Sequence, residues 1–105
     1  MPGVDLNYFI RQANKLTQKI EERKKQLADD TVEGKAGDGR VVVVASCVGE
    51  IKSIKIDKAV VDPNDVAMLE DLVTAAVNAA LTESREHLQR ELGKVSGGIK
   101  IPGLT

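Results

Sequence analysis

Four valines stand in a row near the middle of the chain, from Val41 to Val44. β-Branched side chains lose rotamer freedom in a helix and suit a pleated strand, so this run predicts a strand over residues 40–48. Glycine-containing turns lie on both sides of it, and the pattern predicts two further short strands over residues 32–35 and 51–56. Because connections this short join antiparallel neighbours, we expect a three-stranded antiparallel sheet.

Two long segments with helical periodicity flank this sheet. In the first, over residues 5–30, apolar side chains recur on one helical face, at Leu6, Phe9, Ala13, Leu16, Ile20 and Leu27. In the second, over residues 63–94, a broad apolar face ends at Leu81, which predicts a packed first half and an exposed second half. Asp62 and Pro63 suit the N-cap and the first position of this second helix.

The lengths of these helices indicate a projecting, dimeric architecture. Helices of roughly 39 and 48 Å cannot both lie inside a compact chain of about 100 residues, whose radius of gyration would be about 13 Å. A small sheet with apolar residues on both faces is poorly buried in a single copy, so we predict a two-fold homodimer. The predicted dimer interface comprises Val41, Val42, Val43, Val44, Ile54 and Ile56.

The composition limits the domain count and the chemistry. With 105 residues, we expect one domain over residues 1–105, in which residues 95–105 form a flexible C-terminal tail. One histidine and one cysteine cannot build a structural zinc site, and Cys47 is interpreted as an inert buried thiol. No convergent acid, base, nucleophile or metal-ligand set is present in the sequence, so we expect no enzyme activity, metal, cofactor or small-molecule substrate.

The same composition bears on partners and location. Aromatic residues make up only 2%, which argues against proteins that stack bases on aromatic side chains. No apolar run approaches the roughly 20 residues needed to span a bilayer, so no membrane partner is expected. A single cysteine and the lack of a signal-peptide pattern favour the reducing cytoplasm.

The charge is unevenly distributed, although the formal net charge is only −1. Residues 11–25 hold six basic and two acidic side chains, a local net of +4, whereas residues 57–71 hold one basic and five acidic side chains, a local net of −4. Basic residues four apart share one helical face, and a row of cations can follow the phosphates of a duplex. The candidate DNA-binding residues of this helix are Arg11, Lys15, Lys19, Arg23, Lys24 and Lys25. The alternative interpretation is a solvated face with local ion pairs, such as Glu21 with Lys25.

The second helix offers a secondary set of candidate DNA contacts. These are Arg85, Arg90 and Lys94. Acidic residues are interleaved with them, so intrahelical ion pairs such as Glu86 with Arg90 are the simpler interpretation.

Several segments together resemble a known family. They are MLEDLV at 68–73 running into AAVNAA at 75–80, VEG at 32–34 with Gly37 and Gly39, IKID at 54–57, and GIKIPG at 98–103. Over residues 5–103 the chain resembles the YbaB/EbfC nucleoid-associated proteins of bacteria. The Gly- and Met-rich lead that is common in the family is reduced here to Met1-Pro2-Gly3, and the first helix lacks the family's methionines. These departures bear on DNA affinity more than on the fold.

The resemblance implies an α+β fold with a long N-terminal helix, a three-stranded antiparallel sheet and a long C-terminal helix. It also implies a tweezers-like homodimer that pairs through the sheet, binds double-stranded DNA with little sequence preference and alters DNA conformation or compaction in the nucleoid. The alternative is a protein-interaction adaptor whose projecting helices, through Leu88 and Leu92, dock a DNA repair or replication protein.

Overall fold

The computed structural model describes residues 5–96, which form a helix, three strands, a short 3-10 helix (Lys58–Val60) and a second long helix in that order. The elements are α1 (Leu6–Leu27), β1 (Thr31–Ala36), β2 (Val41–Ser46), β3 (Ile51–Ile56) and α2 (Val66–Ser96). This confirms the predicted α+β architecture. α2 includes the first two residues of the predicted tail, and residues 97–105 lie outside the described part of the chain.

The sheet is a meander in the order β1-β2-β3 with antiparallel pairing throughout. The turn between β1 and β2 places Gly37, Asp38 and Gly39 at φ angles of 62°, 56° and 83°. This left-handed region is accessible to glycine at little cost, which is why the predicted tight turn forms here. The short connections therefore put the valine-rich strand β2 in the centre of the sheet.

The core lies between the sheet and the first half of α2. On one face of β2, Val41 and Val43 are completely buried beneath Ala76 and Ala80 of α2. Gly34 of β1 lies against the same helix, where an added Cβ would stand 2.2 Å from the Ala80 nitrogen and 2.3 Å from the Ala76 oxygen. The small residues on both elements therefore let the helix backbone approach the strand.

The start of α2 differs from the sequence prediction. The helix begins at Val66, so the start expected at Pro63 is wrong. The Asp65 carboxylate accepts a hydrogen bond from the Met68 N–H at 3.1 Å, which gives Asp65 the role expected of Asp62. Asp62 instead accepts from the Asn64 N–H at 2.9 Å and holds the turn before the helix.

α1 runs antiparallel to the second half of α2 and gives the molecule an elongated form. At its start, the Asp5 carboxylate accepts hydrogen bonds from the N–H groups of Asn7 and Tyr8, as expected of an N-cap. The radius of gyration is 20.1 Å, far above the roughly 13 Å of a compact chain, which confirms that the helices project. The second half of α2 is less exposed than predicted, since Leu88 and Leu92 are half-buried where α1 packs against it.

Candidate nucleic-acid interface

The apolar face of α1 is covered at one end and open at the other. Leu27 is completely buried, and Ile20 and Leu16 are half-buried against α2. Nearer the N-terminus, the exposed fraction rises to 57% at Phe9 and 69% at Leu6. The predicted helical face is therefore correct, but its N-terminal half has no covering element among residues 5–96.

An ion pair joins the two helices where α1 leaves the body of the molecule. Arg23 Nη2 donates to Glu91 Oε1 at 2.6 Å, and Arg23 Nη1 donates to Gln26 at 3.0 Å. Lys94 also pairs with Glu91, and the hydrogen bonds from Lys94 and Arg23 lower the pKa of that carboxylate below its ordinary value. Two of the candidate DNA contacts, Arg23 and Lys94, are therefore engaged at this joint.

The cations further along α1 remain open to solvent. Within residues 5–96, Lys15, Lys19 and Lys25 are exposed and take part in no salt bridge. Arg11 lies 4.0 Å from Asp5, and both side chains are largely exposed, so water and salt screen this contact. Arg11, Lys15 and Lys19 keep a row of positive charge toward the projecting end of the helix.

Local pairing differs from the sequence expectation at two places. Glu21 pairs with Lys24 at 3.7 Å rather than with Lys25. On α2, Arg90 Nη2 pairs with Glu83 at 3.1 Å, two turns away, rather than with Glu86. Long side chains on a helix can reach acids at more than one spacing, here three or seven residues away instead of four. Sequence spacing alone therefore did not identify the acidic partner.

The last candidate cation, Arg85, lies on the exposed side of α2. Its guanidinium donates to Thr82 Oγ1 at 3.3 Å, which leaves its charge without an acidic partner in the described chain. The α2 candidates thus divide into Arg90 and Lys94, which are paired, and Arg85, which is not.

A groove of about 300 Å³ lies beside the projecting part of α1, at the end of α2. It is lined by Phe9, Gln12, Ala13, Lys15, Leu16, Lys19 and Val95. Its floor is apolar, and two of the open cations, Lys15 and Lys19, belong to its lining. The groove is therefore continuous with the basic surface.

The six residues predicted to form a dimer interface lie in three environments. Val41 and Val43 are completely buried under α2, so they belong to the core of the single chain. Ile54 and Ile56 pair with Val43 and Val41 across the strands and share their face, but α2 lies mainly over β1 and β2, and the two isoleucines are 44% and 40% exposed. The two remaining valines are half-buried on the opposite face, next to polar neighbours on both adjacent strands.

A second contact ties the end of α1 to α2, and sequence reasoning missed it. His87 Nε2 lies 3.4 Å from Asp30 Oδ2, and the backbone N–H of Cys47 donates to the Asp30 carbonyl at 3.1 Å. Cys47 is buried, as predicted, and burial together with the nearby acids raises the pKa of its thiol. Pairs separated by 57 or 68 residues in sequence leave no local pattern, so Asp30 and Glu91 could not be identified in advance.

Two features are absent from residues 5–96. No group of three potential metal ligands comes together among them. No helix among them is both long and apolar enough to cross a membrane.

Comparisons with known proteins agree with this geometry. The model of the YbaB/EbfC DNA-binding family matches residues 1–99. A nucleoid-associated protein of Myxococcus xanthus is 75% identical over the full length of both chains. Another from Anaeromyxobacter dehalogenans is 46% identical, covering 97% of this chain and 99% of its own. An uncharacterised Helicobacter pylori protein of known crystal structure shares the fold with a TM-score of 0.75 at 17% identity, covering 90% of this chain and 99% of its own.

Proposed function

The chain belongs to the YbaB/EbfC DNA-binding family, and we propose that it works as a homodimer that binds double-stranded DNA mainly through phosphate contacts, with little sequence preference. The bound duplex changes its conformation or compaction, and the protein resides with it in the nucleoid. The function is non-enzymatic binding. DNA is the partner class that the family's name gives, and this favours it over a protein-adaptor role.

The observation that carries this proposal is the open row of cations on the projecting half of α1. Lys15 and Lys19 are one helical turn apart, exposed, and free of salt bridges within residues 5–96. Arg11 extends the row by another turn. Cations without acidic partners can release the counterions of a polyanion without first breaking a pair within the protein.

Dimerisation would give the proposed complex two such arms. Each chain supplies one projecting helix, and the exposed Ile54 and Ile56 lie on β3, at an open edge of the sheet. An apolar edge strand is a surface that a second copy can cover. Two arms related by a two-fold axis would recognise the shape of a duplex rather than its base sequence.

The direct test is fluorescence anisotropy of a labelled 30-bp duplex between 25 and 300 mM salt. We expect similar affinities for unrelated sequences and a log–log salt slope of several units. Lys15→Glu with Lys19→Glu should weaken binding at least about tenfold at 100 mM salt and reduce the slope by about one per lysine. Light scattering on the same samples measures whether the protein is a dimer.

A matched variant separates local contacts from overall charge. Arg40→Glu with Lys58→Glu makes the same change in net charge at exposed positions away from α1. This control should keep most of the affinity if the α1 row makes the contacts. Equal losses in both variants, or no binding at 25 mM salt by a folded dimer, would contradict the proposal. Energy transfer between dyes at the two ends of the 30-bp duplex, which are about 100 Å apart when it is straight, then reports whether binding bends or compacts it.

A further inference from the structure

The apolar face of α1 continues well past the helix that covers it. Contacts between the antiparallel helices run from Asp30 with His87, through Arg23 with Glu91, to the groove where Val95 lies beside Leu16 and Lys19. α2 ends one residue later, at Ser96. Residues 6–17 of α1, about 18 Å of helix, therefore extend beyond it.

This uncovered stretch carries large apolar side chains. Leu6 and Phe9 are 69% and 57% exposed, and Phe9 lines the groove together with Ala13 and Leu16. Exposing a contiguous apolar face to water is unfavourable by roughly 25 cal/mol per Å², and such faces mark a site where something binds.

The last described residue, Ser96, lies beside this groove, and the rest of the chain continues from there. Because the helices are antiparallel, a chain leaving Ser96 in the direction of α2 heads towards the N-terminus of α1 without turning back. Residues 97–104 read GGIKIPGL, so two glycines are followed by Ile99, Ile101 and Leu104. Eight residues in extended form span about 26 Å, which is more than the uncovered length of α1.

We propose that residues 99–104 of the same chain dock in the groove and cover the N-terminal half of α1. Ile99 and Ile101 alternate with Lys100, a spacing that lets an extended segment place two apolar side chains on the helix and one cation outside. Pro102 favours an extended conformation in the residue before it. The docked segment covers the apolar side chains of the groove and leaves Lys15 and Lys19 exposed at its edge.

Tethering favours this occupant over a second molecule. The segment is joined to α2 at the mouth of the groove, so its effective concentration there is in the millimolar range. The docked segment would make α1 and the end of α2 one rigid arm. Docking of this segment does not depend on DNA binding.

Paired cysteines test the docking directly. In a Cys47→Ala background, Gln12→Cys with Ile101→Cys places one thiol in the groove and one on the segment. Asn14→Cys with Ile101→Cys is the control, because Asn14 lies about 160° around the helix from Gln12. Under mild oxidation we expect an intrachain disulfide at least about ten times faster in the groove pair.

Hydrogen exchange gives a second readout that needs no cysteine. Amides of residues 6–17 should exchange at least about tenfold faster in the chain ending at Ser96 than in the full chain. Ile99→Asp with Ile101→Asp should give the same acceleration. Equal exchange in all three proteins, or equal oxidation in both cysteine pairs, overturns the proposal. Disulfide-linked dimers from Gln12→Cys alone would also overturn it and would assign the groove to a second copy.

Discussion

The two long helices are both rich in charge, yet the fold uses them differently. α2 packs its first half on the sheet, and two of its three candidate cations, Arg90 and Lys94, are paired with acids of the same chain. α1 touches α2 over its C-terminal half only, and Lys15 and Lys19, near the edge of that contact, remain unpaired within residues 5–96. Net charge therefore says little about binding here, because the fold pairs two of the three α2 candidates with acids and leaves the cations on the projecting half of α1 open.

The largest expected effect comes from a substitution that disturbs the packing of α2 on the sheet. Gly34→Val puts side-chain atoms where the backbone of Ala76 and Ala80 already stands, so the helix must move off the sheet. We expect a loss of about 3 kcal/mol or more in the free energy of unfolding. Urea denaturation followed by circular dichroism measures it.

Gly93, which lies in α2 rather than in the sheet, provides a control. A Cβ added at Gly93 meets no atom within 4 Å. Gly93→Ala should therefore keep the stability or raise it by about 0.5–1 kcal/mol, because alanine favours a helix. If Gly34→Val is as stable as Gly93→Ala, the close approach of α2 to the sheet is not what anchors it.

Neutral substitutions in each helix test whether unpaired cations contribute more to DNA binding than paired ones. Lys15→Gln with Lys19→Gln should weaken DNA binding about tenfold at 100 mM salt and lower the salt slope, since both lysines are unpaired. Arg90→Gln with Lys94→Gln removes cations that Glu83 and Glu91 already neutralise, so a change of less than about threefold is expected. Anisotropy titrations compare the two, and equal losses would remove the distinction.

The joint between the helices should make the packing of α1 depend on pH. The pKa of Glu91 is lowered in the folded chain, mainly by Lys94 and Arg23, so the ionised carboxylate stabilises the joint at pH values above its ordinary pKa. That stabilisation is lost as the pH falls through the lowered folded-state pKa. We expect unfolding midpoints to fall between about pH 5 and pH 3, and to fall less in Glu91→Gln. Parallel curves for the two proteins would rule out Glu91 as the group responsible.

Cys47 lies close to both the sheet and α2, and its thiol should react slowly in the folded chain. Its burial and the surrounding acids raise the pKa of the thiol, so little thiolate forms near neutral pH. Alkylation at pH 8 should be at least about tenfold slower in the native protein than in 8 M urea. Mass spectrometry follows the reaction, and similar rates in both states would indicate that this end of α2 opens readily.

Most of the fold could be predicted from local sequence patterns. The valine run predicted β2, the glycines predicted its preceding turn, and apolar periodicity predicted both helices, because each of these preferences acts within a few residues. The start of α2 was misplaced because Asp62 and Asp65 both suit an N-cap, and the helix uses the second.

The candidate site was harder to predict than the fold. The row on α1 follows from four-residue spacing, but the engagement of Arg23 depends on Glu91, which lies 68 positions away. The β-strand pattern also does not indicate which face of β2 is covered by α2. For this reason the sequence did not predict that Val41 is buried and Val42 more exposed. DNA contact and dimerisation through these surfaces stay predictions.

The anchoring of α1 at one end makes it a cantilever. The helices part near Leu16 and Val95, and the tip of α1 at Leu6 lies about 18 Å beyond the end of α2 along the helix. A tilt of only about 10° where the helices part would carry the tip sideways by about 3 Å. A small change in packing between the two helices would therefore produce a larger displacement at the tip, so a straight helix could shift its reach without bending.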